Sequence, residues 1–461
     1  MAALYGLRRA LGMMPLLVCV ACNGIGTGNK VNHLQMVSLV GLSATPLPSG
    51  VQVPAYQCLR QQLGVYAIFD KNGGGDYTER PGTHWTSSNP DVVHVSDGED
   101  PDPTQPGRVF PKGVITPLRA GTAVITANYV GVSTSVQVNV REPDSIILST
   151  SQFDSSSNAS TAGALSIAPN SSQQYYAYAR LRDDNDVVTV QDVTGYAQWS
   201  IPDDPQGSFA TITTHGAGSS SGGGLVIGRG VGGPVTINAN FSACPGTQYE
   251  NITAKLAVSG VSQLSLQHNP SINPAVPLVV GTSEAFQVTG TLNNGATQDL
   301  SLQSTLSTIG GNGVLTIGGN VGTALALGST NVVASFNGVQ SSQLPVQTQN
   351  AVLGNFAIAT GDRNQKIPTQ GFYNHFHALG TFTPAAGGAP FQQDLTNNVT
   401  WATSDAAAVV ISNAADTAGL AISQKSAQDC VTIGAVLNTD TSKTDSTKLG
   451  VGVAVSPATC P

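Results

Sequence analysis

His375 and His377 stand two residues apart in a segment that alternates polar and apolar residues. On a strand both imidazoles project from one face. Two imidazoles at that spacing can hold a metal, with Asp362 and Asp394 as the acidic residues that could complete a shell. No third ligand is fixed by spacing, so we read the pair as the polar side of an exposed strand. Asp97, Glu99, Asp100 and Asp102 crowd one loop with Pro101 and Pro103. Calcium needs several oxygens converging from a shaped loop. This spacing carries no EF-hand or repeat signature and reads as a solvated acidic loop. Asp183, Asp184 and Asp186 read as a hairpin turn. There is no Gly-x-Ser-x-Gly elbow, Walker loop or His-Glu-x-x-His, and Gly222-Gly223-Gly224 and Gly310-Gly311 precede no helix that could bind phosphate. No catalytic residue, metal or cofactor is expected.

The elements that carry these residues are set by composition. Charged residues make up 10% of the 461 and aromatics 6%, while Gly numbers 52 and Pro 26. Ordinary domains are about 25% charged, and long helices draw on the Glu, Lys, Arg and Leu that are scarce here. A coiled coil is excluded. A net charge of −8 gives no basic surface for phosphate contacts, so no nucleic-acid partner is expected. Short strands, many turns and a neutral polar surface remain.

Residues 1–21 read as an export signal. Arg8 and Arg9 precede an apolar run, Ala10 to Ala21, that is too short to span a bilayer. The run ends in Cys19-Val20-Ala21-Cys22, which resembles the lipobox of bacterial lipoproteins. That resemblance implies acylation of Cys22 and a membrane partner reached through the lipid. Cys19 departs from the usual Leu of that motif, and an ordinary secretory signal cleaved near Ala21 is the alternative. Asn23 after the Cys lacks the inner-membrane retention signal, which makes the outer membrane or cell surface the expected location. Residues 22–35 would link the anchor to the first domain.

The rest of the chain repeats. Gln393-Asp394-Leu395-Thr396 through Trp401 aligns without a gap on Gln298-Asp299-Leu300-Ser301 through Leu306, and on Gln191-Asp192-Val193-Thr194 through Trp199. Upstream, Phe376 to Phe382 matches Phe286 to Leu292, and Tyr176 to Leu181 matches more weakly. The first unit lacks the Gln-Asp-Leu signature but carries Trp85-Thr86-Ser87-Ser88-Asn89-Pro90. Trp85, Trp199, Leu306 and Trp401 therefore share one place, expected to lie in the core. Later segments, such as Gly121 to Tyr129 and Gly233 to Phe241, alternate apolar and polar residues at the period of a half-buried strand. About seven short strands per unit with Gly/Asn turns read as a β-sandwich.

These motifs are similar to the bacterial immunoglobulin-like domain, group 2, with its Phe-x-Ala-x-Gly-Thr strand, Asp-Leu-Thr turn, Trp-Ser-Ser-Asn-Pro entry and Gly-Thr-Ala-x-Ile-Thr-Ala strand. The resemblance implies an all-β tandem array of four Ig-like β-sandwich domains, over 36–142, 143–260, 261–349 and 350–461, with no catalytic residues. Linkers are short, so the expected shape is a stiff row reaching roughly 140 Å. Four cysteines remain besides Cys22. The strand order of an Ig sandwich puts Cys430 and Cys460 at one end of the last domain, as a clasp for the C-terminus. It puts Cys58 and Cys244 on facing ends of the first two domains, as an interdomain bridge; free buried thiols are the alternative for both pairs.

The expected function is that of a non-catalytic, lipid-anchored envelope protein serving adhesion, ligand binding or spacing. A periplasmic or secreted accessory module, glycan-binding or part of an envelope complex, is the second reading. A protein or glycan ligand is unidentified. If a sugar is bound, Tyr175, Tyr176, Tyr178, Phe372 and Tyr373 are the aromatic candidates.

Overall fold

The computed structural model describes residues 31–40, 43–47, 52–69, 74–101, 109–150, 165–182, 188–214, 223–241, 247–268, 276–311, 313–367, 373–414, 417–424 and 429–451. These residues are all β. They hold no α-helix, only single 3-10 turns at Thr194–Tyr196, Thr360–Asp362 and Thr396–Asn398. No helix among them is long and apolar enough to cross a membrane.

Four sandwiches follow one another, opening on the strands Val31–Val40, Ser145–Ser149, Val261–Gln267 and Ala351–Ile358. Domain one thus begins at Val31, inside the segment expected to be a linker.

All four share one topology. In each, a short strand after the first runs parallel to the last: Gln52–Tyr56 beside Val132–Arg141, Leu165–Ile167 beside Asn251–Val258, Leu278–Val279 beside Leu344–Gln349, and Gln365–Ile367 beside Thr444–Val451. The last strand lies antiparallel to its long predecessor. That predecessor pairs in turn with the strand bearing Trp85, Trp199, Leu306 or Trp401. These four residues are 3%, 0%, 7% and 2% exposed, so each fills the gap between its sheets. Trp85, Trp199 and Trp401 also donate their indole N–H to the carbonyls of Thr78, Thr194 and Thr396, which lets a polar atom sit in the core without cost to a lost partner.

The facing sheet pairs each first strand with Gln61–Phe69, Tyr176–Arg182, Gln287–Leu292 or Ala378–Pro384. Tyr175, Phe286 and Phe376 stand just before the last three and are essentially unexposed. The structure therefore equates Tyr175, rather than Tyr176, with Phe286 and Phe376. A slip of one residue reverses which side chains face the core, so Tyr176 and Tyr178 point outward while Ala177, Ala179 and Leu181 line the interior. Beside each of Leu63, Tyr175 and Phe376 the chain passes close with a glycine. Gly113, Gly224 and Gly419 have φ of +78°, +76° and +81°, and a Cβ on them would lie 2.4, 2.4 and 2.1 Å from the carbonyl oxygens of those residues.

The row is not straight. Tyr178 faces outward from domain two yet is 1% exposed, because it belongs to the buried cluster of domain four, with Ile147, Tyr176 and Val190 packed against that cluster. Burial raises the Tyr176 phenol to about 12, with smaller contributions from Asp192 of its own domain and from Tyr373 of domain four. Domain two thus touches domain four, which a linear row does not allow. Outward aromatic area is better removed from water against a second domain than left exposed.

Candidate functional site: the interdomain clasps

Each domain contains an Asp-x-Thr or Asp-x-Ser turn built the same way. Asp76, Asp192, Asp299 and Asp394 accept the backbone N–H of Thr78, Thr194, Ser301 and Thr396 at 2.7 to 2.9 Å. The hydroxyl of that Thr or Ser accepts a strand N–H, from Val65, Ala177, Val288 or Ala378, at 2.9 to 3.1 Å. Domain one therefore has the turn, as Asp76-Tyr77-Thr78. The sequence concealed it because Trp85 follows Asp76 by nine residues rather than seven.

In domains three and four the residue before the Asp joins the domain to the one preceding it. Gln298 of domain three accepts the N–H of Ala168 in domain two at 2.8 Å through Oε1, and its Nε2 donates to Ser171 Oγ at 2.9 Å. Ser171 donates to the Ala168 carbonyl at 2.8 Å. Domains three and four repeat the arrangement. Gln393 accepts the N–H of Val279 at 3.1 Å and donates to Thr282 Oγ1 at 2.5 Å, and Thr282 donates to the Val279 carbonyl at 2.6 Å. Gln298 is 8% exposed and Gln393 2%, and Ala168 and Val279 belong to the cores of the following domains. Every polar atom in these rings has a partner, as burial demands. Flanking bonds brace both junctions: Asn337 Nδ2 to the Pro169 carbonyl at 2.6 Å, Asn294 Nδ2 to Ser166 Oγ at 2.7 Å, and Ser283 N–H to Asn398 Oδ1 at 3.0 Å. In domain one Gly75 stands where the others have Gln.

The first junction is apolar instead. Leu59 occupies the place of Ser171 and Thr282. With Cys58 it lies buried in the core of domain two, and Tyr56 packs onto that core. Tyr56 donates its hydroxyl to the Arg182 carbonyl at 3.3 Å, and Arg182 is held by Asp144 through Nη2 and Nε at 2.8 and 3.1 Å. Cys58 and Cys430 are each disulfide-bonded. Cys430 lies within the strand Asp429–Leu437. Cys22, Cys244 and Cys460 are outside the described residues. Phe241 and Tyr249, which flank Cys244 in sequence, share the buried cluster of Cys58.

The other candidate residues are committed elsewhere. His375 and His377 have ring centroids 4.6 Å apart. His377 Nδ1 is 2.9 Å from Asp362 Oδ2, and His375 Nε2 is 2.8 Å from the Ala418 carbonyl. The Asp362 bond raises the pKa of His377, while burial lowers that of His375. Asp394 serves its own turn. Asp97 pairs with His84 at 2.9 Å and Asp100 with His94 at 3.1 Å, so these acids face histidines rather than an open oxygen cage. Asp102, Asp183, Asp184 and Asp186 are outside the described residues. No group of three His, Cys, Asp or Glu among the described residues could hold a metal. Tyr175 and Tyr178 are 0% and 1% exposed, which removes them as a sugar-stacking platform; Phe372 is outside the described residues.

No known family model matches the chain. Ice-binding protein 1 of Shewanella frigidimarina is 25% identical over 234 residues, 51% of this chain and 23% of that protein, so the chain spans less than a quarter of that relative's length. Among solved structures, domains 4–9 of the surface layer protein SbsC align over 92% of this chain and 66% of theirs, at 15% identity and TM-score 0.21. Invasin, a bacterial integrin-binding protein, aligns over 91% and 79%, at 13% identity and TM-score 0.17. The Escherichia coli adhesin FdeC aligns over 71% and 100%, at 14% identity and TM-score 0.19. TM-scores this low say nothing about shared domain arrangement.

Proposed function

We propose that the chain is a non-catalytic cell-envelope protein, lipid-anchored through Cys22 at the outer membrane or cell surface, whose group 2-like Ig domains serve adhesion, ligand binding or spacing. The observation that carries this reading is the repeated clasp. A buried Gln amide is joined to the same turn at two successive junctions, fixing the angles between domains. Display and spacing depend on such fixed angles. The likeness to a protein named for binding ice is in keeping with a binding role. Cys58–Cys244 would staple the apolar first junction, and Cys430–Cys460 would close the last domain.

Two treatments of expressing cells test the reading. Globomycin should make the unprocessed precursor accumulate, and trypsin on intact cells should release peptides from beyond domain one. No accumulation overturns lipid anchoring. If no such peptide is released, the periplasmic or secreted accessory module takes its place.

A further inference from the structure

A cleft of about 650 Å³ opens between domains two and three, lined by Asn170, Gln303, Thr305, Phe336, Asn337 and Gln340 among others. Its volume is that of a small-ligand site, and domain junctions are a usual place for one. Among the described residues, no charged side chain lines it. Phe336 is buried in the core of domain three beneath the cleft, and the rest of the lining is mostly planar amides and hydroxyls, a set that can both donate to and accept from a ligand's hydroxyl groups.

Some of these groups are occupied by the junction itself. Asn170 Nδ2 donates to Asn337 Oδ1 at 3.2 Å, and Asn337 Nδ2 donates to the Pro169 carbonyl at 2.6 Å. Both asparagines have left-handed backbones, with φ of +62° and +49°. They form one wall and hold it in place. Other groups are uncommitted. Gln303 Oε1 is buried with no hydrogen-bond partner, and its Nε2 makes only a long 3.5 Å bond to Ser172. That amide has hydrogen-bonding capacity the protein does not use. Gln340 and Thr305 are exposed at the rim.

We propose that this cleft binds an uncharged oligosaccharide. Many neutral hydroxyls on the ligand match many neutral amides in the site, whereas a charged ligand finds no counter-charge there. The proposal deepens the reading of the chain as a binding protein and moves the ligand from the tyrosines to the second junction. Because the Asn170–Asn337 bond that flanks the clasp forms one wall, a contact that braces the junction also shapes the site.

The test uses the mature full-length chain against neutral maltotriose, cellotriose and chitotriose, with polygalacturonate as the charged control, by isothermal titration. One neutral probe should bind. The double variant T305V/Q340A, which leaves the Gln298 clasp intact, should weaken it at least about tenfold, the loss of two hydrogen bonds. Binding to none of the neutral probes overturns the proposal, as does equal binding by the double variant or preference for polygalacturonate. None of these outcomes touches the anchoring test, so the two readings fail separately.

Discussion

Gln298 in domain three and Ser171 in domain two are 127 residues apart in sequence and meet at 2.9 Å, completing a three-bond ring with the backbone of Ala168. Gln393 and Thr282 make the same ring one domain later, 111 residues apart. A strand-edge glutamine in one unit thus serves a turn in the unit before it.

Gln393→Ala should leave the Val279 N–H buried and unpaired, at a cost of about 1–3 kcal/mol to the third junction. Limited proteolysis should then cut the Gln349–Asn350–Ala351 linker faster than in the unaltered chain, while domain four keeps its own melting transition. An unchanged cutting rate would mean the ring does not hold that junction.

Thr396→Val should destabilise domain four by about 1–3 kcal/mol, because Ala378 N–H loses its hydroxyl acceptor in a buried place. Thr396→Ser should restore most of it. Calorimetry on the two variants checks the pair, and equal losses would contradict the hydrogen-bonding role.

Tyr178→Asp places a charge in the contact between domains two and four. The contact should open, and small-angle scattering should show the maximum dimension growing towards the roughly 140 Å of a straight row. A wild-type chain already that long would rule out the fold-back.

His268 gives a pH signature to domain three. Its Nδ1 lies 3.1 Å from Glu284, whose side chain is 1% exposed. The hydrogen bond to Glu284 raises the pKa of His268 above 6.5, against the opposing effect of burial. A raised folded pKa adds stability that is full below the unfolded value and lost as pH rises through the folded one. His268→Gln should therefore melt a few degrees lower than the parent below pH 6.5, and the gap should close as pH rises above the folded value. A gap that widens with pH would contradict the assignment.

The repeats were legible because core positions tolerate few residue types: Trp85, Trp199 and Trp401 mark one strand in three domains. The Asp76-Tyr77-Thr78 turn was not legible, since a longer loop moves it out of register with Trp85. The tyrosines were misread by one position, and in a strand that exchanges inside for outside. The clasps could not be read at all. Gln298 and Gln393 look like ordinary polar strand residues, and what makes them structural is a turn in another domain. The fold-back was hidden for the same reason, because its partners meet only after four domains have formed.

The central claim is that glutamine clasps fix the angle between successive domains. Spin labels on exposed strand positions Thr253 of domain two and Gln347 of domain three, with the distance distribution read by double electron–electron resonance, test it most directly. The account predicts one narrow distribution in the parent chain and a clearly broader one in Gln298→Ala. A broad distribution in the parent, or one that Gln298→Ala leaves unchanged, would contradict it.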